Sequence, residues 1–441
     1  MSDDLIGRAV ARSAHVAEIV LGRGVLAEAG AVYTRHFSGP ACLFADDRGW
    51  AAAGPAVEAA LNAAGVATRR HIIPAIPRPK PTTDLADSLG AALLPGEVPI
   101  AIGSGVMNDM VKYAAFMRDT TYLCVATAAS MDGYTSAGAP LSEKGFKKTI
   151  ACRPAKVLIA DLDVICAAPP EMTGWGYGDL AGKVPAGGDW MIADALGIEA
   201  IDDTAWPMVQ GGLAGWLSQP ERIRAADPAA IDGLFQGLTL VGLAMEAHGS
   251  SRPASGADHQ IAHLWEMDDL HHHGERVSHG ACVAVGCVTT LRMYDWLLAT
   301  PRPIDVDALM ARAPTLADKA AEIRGRFGPG DIADRAIAET EAKHVEGRAL
   351  RKRLTLLAAV WPDLSLRLRD RLMHAPAMAR ALMTAGAPCN AADIGVDRDY
   401  LHATILKARF LRSRYTLLDL LDEIGLLPQA AGAGLGQKEE A

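Results

Sequence analysis

The sequence predicts an N-terminal α/β domain built on a mostly parallel sheet, followed by a C-terminal domain that is all α. The chain has 441 residues, half of them hydrophobic, which is too many for one small core. Strand-like and helix-like runs alternate up to about residue 165, a pattern typical of a parallel sheet covered by helices on both faces. Strand-like runs then become rare and helical periodicity dominates. We therefore expect domains at 1–168 and 169–426.

The predicted strands of the first domain are short apolar runs. They cover 41–45, 67–73, 98–102, 121–125 and 156–160, with helices expected at 51–64 and 109–117. Ligands of such sheets bind at the carboxyl ends of the strands, so polar residues that follow these runs are candidates for a binding site.

The second domain is predicted from long stretches of helical periodicity. They cover 187–248, 279–298, 332–361, 364–385 and 398–426, with connections at 301–304 and 328–330. The Gly- and Ala-rich C-terminal segment, 427–441, is predicted to be disordered.

Composition excludes several classes of function. A net charge of -9 argues against nucleic acid as a partner, although a local basic pocket for an anionic metabolite is compatible with it. Seven scattered cysteines without a Cys-x-x-Cys pair indicate reduced thiols rather than disulfides or a zinc ribbon. The start of the chain does not resemble a signal peptide, and no run of about 18 apolar residues is present. We expect a cytoplasmic protein without a membrane span, and homo-oligomerisation stays open.

Histidine is concentrated between residues 259 and 279. His259 and His263 are four apart, which places both imidazoles on one helix face behind a turn-like segment at 251–256. A second group follows at 271–273 and at His279. Neutral imidazoles bind transition metals, so this region predicts a metal site built by several helices. The run at 271–273 is better interpreted as a solvated loop.

Two further segments follow predicted strands. Gly103-Ser104-Gly105 leads toward Asp109, and such a turn lets the backbone and a helix N-terminus approach a pyrophosphate, although it can equally be only a tight turn. Asp46 ends an earlier strand and could accept hydrogen bonds from an adenosine ribose or be a solvated turn residue.

The segments 127–136 and 176–183 each contain one carboxylate among small residues. The first suits a polar ligand, but its composition also fits a solvated loop. In the second, Asp179 could be a helix N-cap, or it could supply the oxygen ligand of a site that has two histidines.

Five motifs, taken in order, resemble the sn-glycerol-1-phosphate dehydrogenase family. They are Gly-Ser-Gly-x-x-Asn-Asp at 103–109, Ser-Met-Asp-Gly-Tyr-Thr-Ser at 130–136, Gly-Asp-Leu-x-Gly-Lys at 178–183, Ser-Arg-Pro-Ala-Ser-Gly-x-x-His at 251–259 and Val-Ser-His-Gly-x-x-Val-x-x-Gly at 277–286. The family belongs to the superfamily of iron-type alcohol dehydrogenases, glycerol dehydrogenases and 3-dehydroquinate synthases. The resemblance implies a dehydroquinate synthase-like fold, in which a Rossmann-like domain and a helical domain enclose a cleft.

The resemblance also implies one divalent metal per subunit, zinc or nickel, held by one Asp and two His. By motif these are Asp179, His259 and the His before Gly-x-x-Val-x-x-Gly. Both His273 and His279 fit that pattern. We prefer His279, because the residues on both of its sides continue the family pattern. His263 is then a group that lies behind the metal ligands or touches the substrate.

The implied reaction is the reversible NAD(P)H-dependent reduction of dihydroxyacetone phosphate to sn-glycerol 1-phosphate. Asp132 is a candidate to hold a substrate hydroxyl, and Lys183 and Arg252 are candidates for the phosphate, although either could be an ordinary salt-bridge residue. For NAD(H) or NADP(H), the candidates are Gly103, Ser104, Gly105 and Asp109 at the pyrophosphate, Thr127 and Ser130 near the nicotinamide, and Asp46 at the ribose. A carboxylate at Asp46 would repel a 2′-phosphate, which predicts that NADH serves at least as well as NADPH.

Three alternatives stay open at this point. One is a glycerol or other polyol dehydrogenase with an unphosphorylated substrate. A second is a 3-dehydroquinate synthase-like lyase, which Asp179 disfavours because that family usually has Glu as the metal carboxylate. A non-catalytic relative is the third, and the intact Asp-His-His set argues against it.

Overall fold

Six parallel strands form the main sheet of the computed structural model, which describes residues 5–143, 146–300 and 303–436. In chain order, the strands of all sheets in the described residues are β1 (Glu18–Gly22), β2 (Ala41–Asp46), β3 (Thr68–Ile73), β4 (Val98–Gly103), β5 (Leu123–Ala126), β6 (Ala139–Glu143), β7 (Phe146–Ile150), β8 (Val157–Asp161), β9 (His271–His272) and β10 (Glu275–Arg276). The main sheet has the order β1-β8-β5-β4-β2-β3, while β6-β7 and β9-β10 are antiparallel hairpins. This architecture confirms the predicted α/β domain.

Burial explains why the central strands were recognisable in the sequence. All residues of β4, β5 and β8 are buried, and β2 is buried up to its last residue, so each reads as a continuous apolar run. The edge strand β1 is only half-buried, and its apolar run of three residues was not recognised as a strand. The helices of this part are α1 (Leu5–Val10), α2 (Ala29–His36), α3 (Asp47–Ala63), α4 (Thr83–Ala92), α5 (Gly105–Met117) and α6 (Leu162–Cys166).

After α6 the described chain is almost entirely helical, as predicted. The helices are α7 (Pro170–Ala181), α8 (Lys183–Ala195), α9 (Ala205–Gln210), α10 (Leu213–Trp216), α11 (Pro220–Arg224), α12 (Pro228–His248), α13 (Ala257–Met267), α14 (His279–Ala299), α15 (Val306–Ala311), α16 (Leu316–Phe327), α17 (Asp331–Glu341), α18 (Gly347–Arg371), α19 (Ala375–Ala385), α20 (Arg398–Ala408), α21 (Leu417–Glu423) and α22 (Leu427–Gly434). By length and composition α12 and α14 could span a membrane, but 67% and 83% of their apolar windows are buried inside the protein, as in core helices.

Among the differences from the predicted bounds, two concern whole helices. Helix α18 runs without interruption through Pro362, where the sequence suggested a break between two helices. The segment predicted to be a disordered tail instead begins with α22, because Leu427, Ala430 and Ala431 are buried against the rest of the helical part. The last five residues of that prediction lie outside the described residues.

Candidate metal centre

Three helices of the C-terminal part bring one candidate ligand each to a common point. Asp179 lies in the last turn of α7, His259 in the first turn of α13, and His279 is the first residue of α14. Ser278 fixes the start of α14, because its side chain accepts a hydrogen bond from the Ala281 N–H. Asp179 lies within helix α7, so the alternative that it is a helix N-cap is wrong.

Glycines allow these helices to approach closely. A Cβ on Gly280 would lie 2.1 Å from the carbonyl oxygen of Trp175 in α7, and a Cβ on Gly286 would lie 2.4 Å from the carbonyl oxygen of Asp258 in α13. Real Cβ atoms do not come so near to a backbone oxygen, so a larger residue would push the helices apart. The glycines in these motifs thus position the ligands without touching them.

The ligand atoms of Asp179, His259 and His279 all lie within 4.8 Å of one another. Asp179 Oδ1 is 3.6 Å from His259 Nε2, and the two imidazole rings have centroids 5.4 Å apart. Asp179 and His259 are buried, while His279 is partly exposed. One carboxylate and two imidazoles, with access for a further ligand, is a donor set suited to a divalent transition metal.

A carboxylate contacts the Nδ1 atom of each of the two candidate histidine ligands. Asp258 Oδ2 lies 2.5 Å from His259 Nδ1, and Glu266 Oε1 lies 3.0 Å from His279 Nδ1. Each carboxylate favours the tautomer in which Nδ1–H donates a hydrogen bond to it, which leaves Nε2 as the basic atom for a metal. This orientation makes the two imidazoles suitable ligands.

Lys183 lies beside Asp179 and neutralises two carboxylates. Its Nζ is 2.6 Å from Asp179 Oδ1 and 2.7 Å from Asp132 Oδ2, and it is fully buried. Burial opposes the charged forms, but the ion pairs outweigh it, so the pKa of Lys183 is raised and that of Asp179 lies well below its usual range. The charge of Lys183 is therefore already compensated by two carboxylates, and its contact with a substrate phosphate stays a prediction.

The loop after β5 joins the sheet to this centre. The Asp132 N–H donates to Asp179 Oδ2 over 3.0 Å, in addition to the ion pair of its side chain with Lys183. The candidate metal centre therefore lies next to the carboxyl edge of the parallel sheet.

Comparison with known proteins identifies the family. Residues 20–169 match the model of the iron-containing alcohol dehydrogenases. A glycerol-1-phosphate dehydrogenase [NAD(P)+] of Bacillus licheniformis is 30% identical over 354 residues, which cover 80% of this chain and 75% of that protein. Its Bacillus subtilis counterpart is 40% identical over 197 residues, 45% of this chain and 50% of that protein. This chain belongs to the glycerol-1-phosphate dehydrogenase family.

Solved structures agree on the fold of this family member. The glycerol dehydrogenase of Schizosaccharomyces pombe superposes with a TM-score of 0.60 at 15% identity, covering 97% of this chain and 92% of that one. A maleylacetate reductase from Agrobacterium tumefaciens superposes with a TM-score of 0.57 at 17% identity, covering 96% and 97%. At such low identity the likeness concerns the fold alone.

The predicted cofactor residues line up along the carboxyl edge of the sheet. Thr127 and Ser130 follow β5, Gly103-Ser104-Gly105 joins β4 to α5, and Asp46 ends β2, so they follow the strand order β5-β4-β2. Ser104 makes no side-chain cap at α5, which leaves the first N–H groups of that helix available to an anion. The Asp46 carboxylate caps α3 by accepting from the Gly49 N–H over 2.6 Å.

Asp109 belongs to a buried network behind this edge. Its carboxylate lies 3.2 Å from the Asn108 amide and 3.5 Å from Lys112 Nζ. Lys112 in turn donates to the carbonyl oxygens of Gly133 and Gly138 over 2.8 and 3.0 Å. The Asp109 carboxylate thus contacts side chains of its own helix, and its assignment to the pyrophosphate stays a prediction.

Arg252, the other cation predicted for the substrate phosphate, is engaged by the protein itself. It is fully buried, and its guanidinium donates to the carbonyl oxygens of Tyr415 and Asp189, both over 3.0 Å, with Glu199 3.3 Å from Nε. The motif Ser-Arg-Pro-Ala-Ser-Gly thus uses its arginine to fix the turn before α13. Both terminal nitrogens of the guanidinium donate to backbone oxygens, while Nε lies near Glu199 without a hydrogen bond.

The other two candidate histidines lie in different places relative to the metal centre. His263 lies one turn after His259 and stacks on His279 with a centroid distance of 5.7 Å, so it borders the metal centre. His263, Glu266 and His279 also have ligand-type atoms within 4.8 Å of one another. His273 instead lies exposed in the turn of the β9-β10 hairpin, outside the cluster. Of the two histidines that fitted the motif, the structure brings His279 to the other ligands.

Sequence reasoning missed Asp258, Glu266 and Lys112. Asp258 directly precedes a predicted ligand and Glu266 follows His263 at helical spacing, so the positions could have been flagged as carboxylates that orient imidazoles. Lys112 gave no signal, because its partners are backbone oxygens of a distant loop.

Proposed function

We propose that this protein catalyses the reversible NAD(P)H-dependent reduction of dihydroxyacetone phosphate to sn-glycerol 1-phosphate. The observation that carries the proposal is the convergence of Asp179, His259 and His279 beside the loop that follows β5. The relatives that share this sequence pattern are named glycerol-1-phosphate dehydrogenases [NAD(P)+]. The same proposal includes action on a small phosphorylated ketone or alcohol in the cytoplasm, without nucleic acid or membrane partners. It also includes the division into domains at 1–168 and 169–426.

Asp179, His259 and His279 would hold zinc or nickel. The donor set fits, because each imidazole has a carboxylate behind it and Asp179 is ionised by its neighbours. A divalent ion bound there would act as a Lewis acid on the ketone oxygen, while the reduced nicotinamide supplies the hydride. The protein supplies the position and the charges.

The cofactor would lie along the carboxyl edge of the sheet. Gly103, Ser104 and Gly105 would bind the pyrophosphate at the N-terminus of α5, and Asp46 would face the ribose. Thr127 and Ser130 would border the nicotinamide. The same loop continues to Asp132, whose backbone contacts Asp179, so the nicotinamide end would be the end nearest the metal.

Asp132 and His263 are the side chains that we assign to the substrate. The Asp132 carboxylate is held by Lys183 at the border of the loop and would accept a hydrogen bond from a substrate hydroxyl. His263 is partly exposed beside His279 and could deliver the proton that the reduced oxygen takes up. Lys183 pairs with both carboxylates and holds them in place.

A second function, reduction of an unphosphorylated polyol precursor, is favoured by one observation. Both cations predicted to bind a phosphate, Lys183 and Arg252, are engaged by the protein itself. The test is the oxidation of NADH in the presence of metal with dihydroxyacetone phosphate or dihydroxyacetone, followed by chiral analysis of the product. Faster turnover of the phosphate ester and formation of sn-glycerol 1-phosphate are expected. Equal turnover of dihydroxyacetone would favour the polyol dehydrogenase, and no oxidation with either substrate would favour the lyase.

A further inference from the structure

Lys112 in α5 is a fully buried cation that the proposed reaction does not use. Its side chain is 0% exposed, and its ion pair with Asp109 is long, at 3.5 Å from Nζ to Oδ1. Burial of an ammonium group is costly unless hydrogen bonds compensate the charge. The presence of a lysine here therefore has to be explained by the acceptors that surround its Nζ atom.

The acceptors of Lys112 belong to one loop, residues 128–138 between β5 and β6, which we call the Asp132 loop. Lys112 Nζ donates to the carbonyl oxygens of Gly133 and Gly138 over 2.8 and 3.0 Å, and Ser136 Oγ lies 3.4 Å away. An ammonium group has three donors and no acceptor, which matches a set of converging oxygens. The charge of Lys112 is thus compensated mainly by the backbone of this loop.

Two further helices hold the Asp132 loop. A Cβ on Gly176 of α7 would lie 1.8 Å from the Ala129 carbonyl oxygen, and a Cβ on Gly242 of α12 would lie 2.7 Å from the Asp132 carbonyl oxygen. Both helices therefore lie directly against the loop backbone, which has no room to shift toward them. Lys112 holds the same loop from a third helix, α5.

The residue next to the main acceptor of Lys112 is the one that reaches the metal centre. Asp132 directly precedes Gly133. Its N–H donates to Asp179 Oδ2 over 3.0 Å, and its carboxylate lies 2.7 Å from Lys183 Nζ. Consecutive Cα atoms are about 3.8 Å apart across a rigid peptide unit, so a displacement of Gly133 moves Asp132 with it.

We propose that Lys112 is a positioning residue for the reduction. It holds the Asp132 loop so that Asp132 meets the substrate hydroxyl and supports Asp179 from behind. This inference rests on the proposed function and adds to it a buried residue that acts through Asp132. Lys112 lies two turns after Gly105, where the proposed pyrophosphate site begins, so α5 connects the cofactor end of the site to the metal end.

The test replaces Lys112 by Met, which has a similar length and no donor, alone and together with Asp132→Ala. Lys156→Met is the matched control, because Lys156 also donates to a backbone oxygen, that of His36 over 2.8 Å, outside the Asp132 loop. With zinc-loaded protein and NADH, Lys112→Met should lower kcat/KM for dihydroxyacetone phosphate about tenfold or more, since a misplacement of about 1 Å can cost about 100-fold. Lys156→Met should stay close to wild type.

A double-mutant cycle separates positioning from general damage. If Lys112 acts through Asp132, the variant with both substitutions should lose much less kcat/KM than the product of the two single losses. Losses that multiply would show that the two side chains act independently. That result would overturn the inference, while the proposed function would stand.

Hydrogen exchange of the zinc-loaded protein provides a readout that does not need the reaction. In Lys112→Met, the amides of residues 128–138 should exchange faster, while those of β2 and β8 keep their wild-type rates. Unchanged exchange in the Asp132 loop, or an equal increase throughout the sheet, would overturn the positioning role.

The same comparison keeps the two proposals apart. If wild type does not reduce dihydroxyacetone phosphate, the proposed function is overturned, and hydrogen exchange still decides whether Lys112 holds the loop. Should Lys112→Met not fold, Ser136→Ala removes one partner of Lys112 and should give smaller effects in the same direction in both assays.

Discussion

Replacing Asp258 by Asn is expected to weaken metal binding, because Asp258 determines which nitrogen of His259 carries the proton. The carboxylate is fully buried, with one oxygen 2.5 Å from His259 Nδ1 and the other accepting from the Gly256 N–H over 3.2 Å. An asparagine that turns its amide nitrogen toward Nδ1 would favour a proton on Nε2, the atom that faces Asp179. The ligand would then have to change tautomer before it binds a metal.

The size of the effect follows from this geometry. Loss of a carboxylate behind a metal-bound histidine typically reduces metal affinity by about 10- to 100-fold. That corresponds to about 1.4–2.8 kcal/mol of binding free energy. The upper part of this range is expected, because the contact is short and water has no access to replace it.

Competition for zinc against a chromophoric chelator measures this affinity directly. Asp268→Asn is a matched control, since Asp268 lies at the end of the same helix and contacts Tyr400 instead of a ligand. Asp258→Glu keeps the charge, but its longer side chain has little room beside Gly182, because a Cβ on Gly182 would already lie 2.6 Å from Asp258 Oδ2. We therefore expect this variant to recover only part of the zinc affinity. Unchanged zinc affinity in a folded Asp258→Asn protein would refute the reasoning.

Three further results are expected. Gly280→Ala should weaken zinc binding, because its Cβ would collide with the Trp175 carbonyl oxygen. Gly325→Ala, at a position with open space, should leave zinc binding unchanged. Equal zinc affinities of the two variants in the same chelator assay would contradict this. Lys183→Met should lower the free energy of unfolding of the metal-free protein by about 3–5 kcal/mol, since the buried Asp179 and the partly buried Asp132 lose their cation. Unchanged urea denaturation would argue against the ion pairs. Burial raises the pKa of Asp189 to about 6, so protonation stabilises the fold. Relative to Asp189→Asn, wild type should therefore gain up to about 3 kcal/mol as the pH falls from 7 to 4, and a difference in urea stability that is constant over that range would contradict it.

The parallel sheet and the helical second part could be predicted because their signals are local. Continuous apolar runs such as Val98–Gly103 mark strands buried on both faces, and periodicity marks the helices. The half-buried β1 strand was not predicted: it lies at the edge of the sheet, and only the three apolar residues at 19–21 mark it in the sequence. The helix at Leu427–Gly434 was also missed, since only its packing shows why an Ala- and Gly-rich segment is ordered.

The sequence by itself pointed to Asp179, His259 and either His273 or His279 as candidate metal ligands, because each stands in a motif of the family that the chain resembles. The tertiary structure brings His279 rather than His273 to the other two. Only the tertiary structure decided what the charged residues beside them do. In the sequence, Lys183 and Arg252 look alike as candidate phosphate partners. In the structure, Lys183 pairs with Asp132 and Asp179, whereas Arg252 donates to backbone oxygens. The reason is physical: a motif fixes which groups are present, whereas the availability of a charge depends on neighbours that folding brings from distant parts of the chain.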